Sequence, residues 1–159
     1  MRTTRTVPHA GFIALCLSLI AVLFAFPTPA EPNVAGDLRT GYHADTENGL
    51  IGGGINTDLS ASWDFNPNLE WVLVDGYDLW SVNADFHRDF GSTGPALWLG
   101  AGPALLVTEL DPDGPTDKDL GLNLLGGIGA REGAVRPFAQ MKVTVADNAA
   151  STLALGLRF

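Results

Sequence analysis

Five carboxylates stand between residues 109 and 119: Glu109, Asp111, Asp113, Asp117 and Asp119, with Gly114 among them. Oxygen ligands at alternate positions ahead of a glycine can converge on a hard cation, so this run is a candidate Ca²⁺ or Mg²⁺ loop. Counted from Glu109, the twelfth position is Leu120 instead of a bidentate glutamate, and Pro112 and Pro115 restrict the bend. A solvated acidic loop is the plainer reading. His43 and His87, with Asp85 and Asp89 flanking the second, could serve a metal or a hydrolytic site, but they lack the tight spacing such sites use.

A larger set recurs at every second position within short runs. It comprises Asp37, Arg39 and His43; Asn56 and Asp58; Glu70; Asn83, Asp85, His87 and Asp89; and later Arg131, Arg136, Gln140, Lys142 and Arg158. Period two places such residues on one face of a strand, with apolar neighbours on the other. Acids gather early in the chain and bases late, so a closed sheet brings them together as paired ions and hydrogen bonds.

The elements that must position them are strands. From Ser151 to Phe159, Leu153, Leu155, Leu157 and Phe159 point one way and Thr152, Ala154, Gly156 and Arg158 the other. Similar alternation predicts strands over Val135 to Ala146, Leu120 to Arg131, Ala96 to Thr108, Leu79 to Phe90, Gly52 to Trp63 and Val34 to His43. Leu69 to Tyr77 is the weakest, because Asp75 falls on its apolar face unless Gly76 marks a bulge or the strand has already ended. The sum is eight, an even number suited to an up-and-down barrel. Asp64 to Asn68, Gly91 to Pro95 and Glu132 to Ala134 read as short turns. Thr46 to Gly49, Asp75 to Asp78, Glu109 to Asp119 and Asp147 to Ala150 read as the opposite connections, and the longest lies among them.

Residues 1–30 are expected to be a removable signal peptide. Arg2 and Arg5 precede an apolar run from Gly11 to Phe26, and Thr28 and Ala30 suit cleavage before Glu31. That run is short of the roughly 20 residues of a spanning helix. Cys16 would leave with it, and Leu15 before it does not fit a lipid-attachment site. Without Arg2 and Arg5, seven basic residues face eighteen acidic ones, a net charge near −11. Such a chain lacks the basic patch that nucleic acid requires.

Alternation alone leaves open whether the greasy face meets lipid or a soluble core, as in a lipocalin-like barrel. The terminal aromatic, the small and charged second face, and Trp63, Trp71, Tyr77, Trp80 and Phe90 near strand ends favour lipid.

The runs Gly52 to Trp63, Asn66-Pro67-Asn68, Leu97-Trp98-Leu99-Gly100-Ala101-Gly102, Arg136-Pro137-Phe138-Ala139 and Leu155-Gly156-Leu157-Arg158-Phe159 together resemble the OmpA-like outer-membrane β-barrel superfamily. The resemblance covers essentially all of residues 31–159. It implies an all-β, eight-stranded antiparallel up-and-down transmembrane barrel in the outer membrane of a Gram-negative bacterium, in contact with lipid and lipopolysaccharide. It also implies that the last strand is read by the barrel assembly machinery. Thr152, Leu157 and Phe159 match that signal, and Ala154 stands where glycine is usual. Some such barrels modify lipid A; the deacylases carry a His-x-Ser pair, whereas His43 is followed by Ala44-Asp45 and His87 by Arg88-Asp89. The expectation is therefore a non-enzymatic, monomeric barrel with an envelope or surface-interaction role. A narrow ion-conducting pore and a lipid A-modifying enzyme are the alternatives, and no cofactor is expected beyond a cation at the acidic loop.

Overall fold

In the computed structural model, residues 33–91, 93–110, 114–147 and 149–159 are described. The expected signal peptide, residues 1–30 with Cys16, lies outside them, as do Asp111 and Asp113. The chain forms β1 (Val34–His43), β2 (Asn48–Ser60), β3 (Trp63–Val72), β4 (Asp78–Phe90), β5 (Ala96–Glu109), β6 (Thr116–Gly129), β7 (Arg136–Val145) and β8 (Ala149–Arg158). Each strand pairs antiparallel with the next, and β8 returns to β1, closing the barrel. At the seam Phe159 and Gly36 exchange two backbone hydrogen bonds of 2.8 and 2.9 Å, so the chain's last residue helps lock its first strand.

The alternation sorts side chains in the reverse of a soluble protein. Leu38, Ile51, Ile55, Leu69, Leu122, Leu124 and Leu153 lie exposed on the outside, and Leu99 and Leu155 are 61% and 62% exposed. Asn66, Asp85 and Asn123 are fully buried inside, at 0%. An apolar surface running around the whole barrel far exceeds the few hundred Å² that a soluble monomer leaves bare. Closure pairs backbone groups between strands, which is the condition for strands to sit in hydrocarbon. Trp63 and Phe90 mark one rim of this surface, and Tyr42 and Trp71 the other. Trp63 and Trp71 are eight positions apart on β3; at about 3.3 Å per residue and a tilt near 40°, roughly 20 Å separates the rims, close to the apolar band of such barrels. The fold is a transmembrane barrel.

Several boundaries differ from those expected. β2 starts at Asn48, and β3 starts at Trp63 instead of Leu69. The Asn66-Pro67-Asn68 run is therefore strand and not turn; the turn after β2 is Ala61-Ser62. Those residues have turn chemistry, but here the asparagines find lumen partners and Pro67 turns its ring to lipid. Pro67 has no N–H, and the β2–β3 ladder is interrupted beside it, between Gly54–Asn68 and Thr57–Phe65. Asn66 Nδ2 fills the gap, donating to the Ile55 carbonyl at 2.9 Å. Asn66→Ala is expected to lose about 1–3 kcal/mol of stability by leaving buried groups unpaired. Part of that loss should vanish when Pro67→Ala restores an N–H. A double-mutant cycle by urea unfolding in lipid vesicles checks this; equal losses in both backgrounds would contradict it.

β3 ends at Val72, before Asp75, and Gly76 sits in the following turn with φ of 88°, a left-handed conformation that suits glycine. The long connection also shortens. Thr116, Asp117, Lys118 and Asp119 pair with Glu109, Thr108, Val107 and Leu106, so β5 and β6 extend as a ladder and only residues 110–115 connect them. The β6–β7 connection, residues 130–135, is equally long. The expected loop-length asymmetry is thus absent; its place is taken by strand overhang at the β5–β6 tip.

Candidate functional site

The lumen is the place where this chain gathers its polar side chains. Period two aims Asp37 and Arg39 of β1 inward, with Asn66, Asn68 and Glu70 of β3, Asn83 and Asp85 of β4, Asn123 of β6 and Lys142 and Thr144 of β7. They meet because β2 contributes glycines at the same level. A Cβ on Gly52 would stand 2.9 Å from Glu70 Cγ and 3.2 Å from Arg39 Cγ, and one on Gly54 would stand 2.7 Å from Asn68 Cβ.

Arg39 donates to Asp37 Oδ1 at 2.6 Å, to Asn66 Oδ1 at 2.8 Å and to Glu70 Oε1 at 3.4 Å. Lys142 spans the lumen from β7 to reach Glu70 Oε2 at 2.5 Å. Asn66 Nδ2 also donates to Asp37 Oδ2 at 2.8 Å. Asp85 accepts from Asn68 at 2.9 Å and Asn123 at 2.8 Å. Asn83 donates to Asn68 Oδ1, Asn123 to Asn83 Oδ1, and Thr144 to Asn123 Oδ1. Two buried cations share the Glu70 carboxylate; Arg39 places its other donors on Asp37 and Asn66, whereas Lys142 is held by Glu70.

Below this network lies an apolar layer. Trp98, Leu125 and Phe138 point inward and pack together. The Trp98 and Phe138 rings meet edge-on at 6.2 Å, and His87 stacks on Trp98 at 6.2 Å. The guanidinium of Arg158 caps both aromatic rings, at 5.6 and 5.5 Å. Glycine again makes room: a Cβ on Gly127 would meet the Trp98 ring at 2.2 Å, and one on Gly156 the Phe138 ring at 2.3 Å. At the mouth nearest Phe159, Arg131 donates two bonds to Asp89, of 2.6 and 3.1 Å, and a third to the Gly91 carbonyl. The hydrogen bond to Asp89 pushes its pKa above the ordinary arginine value.

Of the inward residues expected from the sequence, Asp37, Arg39, His43, Asn56, Glu70, Asn83, Asp85, His87, Gln140 and Lys142 are buried, while Asp58, Asp89, Arg136, Arg158 and, from the β6–β7 connection, Arg131 are partly buried. Asn66 and Asn68 were masked by their turn-like run. Trp98 and Phe138 were masked by their hydrophobicity, although parity with Gly100 and Gln140 places them on the inner face. The two histidines do not form a site: His43 bonds Thr46 Oγ1 at 3.0 Å near one mouth, and His87 is buried against Trp98 lower down. Of the acidic run, Glu109 ends β5, while Asp117 and Asp119 stand on β6. Among the described residues, no three ligating side chains gather around a point that a metal could occupy.

The closed eight-stranded antiparallel barrel, apolar outside and polar within, is a fold that solved structures share. Two crystal structures share it: the N-terminal β-barrel domain of Pseudomonas aeruginosa OprF, at TM-score 0.68 and 16% identity over 80% of this chain and 96% of that one, and Neisserial surface protein A, at TM-score 0.64 and 15% identity over 80% and 97%. A de novo designed transmembrane β-barrel matches at TM-score 0.55 and 11% identity over 79% and 92%. No family model and no curated protein matches the sequence.

Proposed function

We propose that this chain is a monomeric, non-enzymatic outer-membrane barrel of a Gram-negative bacterium that strengthens the envelope and presents an acidic rim to the outside. The observation that carries this reading is the solid lumen. The Arg39–Glu70–Lys142 bridge and the asparagine network close one level, and the Trp98–Phe138 layer closes the next. Eight strands leave an interior that side chains just fill; what remains here is a recess of about 30 Å³ beside His43, Glu70 and Lys142. Catalysis finds no support either, since His87 is sealed against Trp98 and His43 pairs with a threonine hydroxyl.

The rim belongs to the end away from the termini. Asp45, Glu47, Asp75, Asp78, Glu109, Asp117, Asp119 and Asp147 lie in its turns and strand tips, with Lys118 the cation among them. Such a surface repels anionic lipopolysaccharide unless divalent cations intervene, and it attracts basic partners in a salt-dependent way. Along β8, the Leu153, Leu155, Leu157 and Phe159 face, which reaches the opposite mouth at Phe159, is what the assembly machinery would engage. Removing Phe159 also removes the Gly36 hydrogen bonds, so the truncated chain is expected to accumulate severalfold less in the outer membrane. Equal accumulation in membrane fractions would contradict that role.

The test of the closed lumen is electrical. Purified barrel in planar lipid bilayers should give no stable single-channel steps at neutral pH. Reproducible steps from the wild-type chain would reject this reading in favour of a narrow pore.

A further inference from the structure

Arg88 stands on the outer face of β4, level with Trp63 of β3 and Leu99 of β5. Its guanidinium lies 5.5 Å from the Phe90 ring centroid. Among the described residues it makes no ion pair; the nearby acid Asp89 faces inward and is held by Arg131. An unpaired cation at the depth of an aromatic girdle is placed to meet a lipid phosphate. Beside it an apolar groove of about 630 Å³ opens on the outer surface, with Phe90, Leu97 and Leu99 at the Arg88 end and Met141 and Val143 further along. Its floor is lowered by Gly126, the residue at which outward-facing β6 lacks the leucine or isoleucine of Leu122, Leu124 and Ile128. The groove is open along its length and lies in the band that acyl chains cover.

We propose that Arg88 and this groove together hold one phospholipid from the leaflet on the side of Phe159, its phosphodiester on the guanidinium and one acyl chain along Gly126. The outer-face neighbours of Arg88, namely Trp63, Phe86, Phe90 and Leu99, carry no acid to receive a headgroup amine. The site therefore favours an anionic headgroup such as phosphatidylglycerol over a zwitterionic one. The inference rests on the membrane placement of the barrel, which the unboiled gel shift of each variant checks separately.

The experiment is native mass spectrometry of refolded barrel exchanged with equimolar phosphatidylglycerol and phosphatidylcholine of the same acyl chains. Wild type should retain one phosphatidylglycerol in preference by about fivefold, the factor a basic residue gives at a lipid surface. Arg88→Gln should abolish the headgroup preference, and Arg88→Lys should keep most of it. Gly126→Leu should lower retention of both lipids; should it fail to fold, Gly126→Ala replaces it, since its methyl meets Leu99 Cδ2 at 3.1 Å and then only the Trp98 carbonyl at 3.6 Å. Unchanged preference in Arg88→Gln, or unchanged retention in a folded Gly126 variant, overturns the proposal.

Discussion

Glu70→Ala is expected to cost about 3–5 kcal/mol of unfolding free energy, the loss that follows when one partner of a buried ion pair is removed. Glu70 is nearly inaccessible and is the carboxylate on which Arg39 and Lys142 converge. Arg39 keeps Asp37 when Glu70 is gone, but Lys142 keeps no ion partner. The damage should therefore be repaired more by removing the lysine than by touching the arginine. Glu70→Met with Lys142→Met replaces the pair by apolar side chains of comparable length, and it is expected to unfold closer to wild type than either single change. Urea titration in lipid vesicles, followed by tryptophan fluorescence, measures all three. A loss below about 1 kcal/mol for Glu70→Ala is the size seen for exposed pairs and would contradict a buried bridge at this level.

Gly127→Val is expected to be of similar severity for a steric reason. Its Cβ would lie 2.2 Å from the Trp98 ring, so the indole must leave its place in the lumen. Trp98→Ala removes the same packing outright and should cost about 3–5 kcal/mol. Because both changes act on one contact, the double variant should lose at least about 2 kcal/mol less than the sum of the singles. Strict additivity would show that glycine serves the strand and not the indole.

The fold was legible in the sequence because two unlike solvents face the two sides of every strand. Leu153, Leu155 and Leu157 meet hydrocarbon while Thr152, Ala154 and Arg158 meet the lumen, and a period of two is the direct trace of that. Legibility failed where a residue's local preference and its environment disagree. Asn66-Pro67-Asn68 has the composition of a turn, and only the lumen's demand for donors, with Asn66 replacing the missing Pro67 N–H, keeps it in a strand. The extent of the β5–β6 connection was hidden for another reason: backbone pairing of Asp117 with Thr108 and Asp119 with Leu106 lengthens both strands, and nothing in these side chains announces it. Trp98 and Phe138 are hidden by their own hydrophobicity, which matches the lipid-facing residues beside them. Gly127 and Gly156 opposite them were the available sign that the inner face carried bulk.

Membrane placement can be read most directly from the outer-membrane fraction of cells producing the chain, run on a denaturing gel with and without boiling. The barrel should be recovered with membranes and migrate differently when unboiled, because a closed ladder of eight strands resists detergent until heated. Recovery of the mature chain in soluble periplasmic extract, with one mobility in both lanes, would contradict the account.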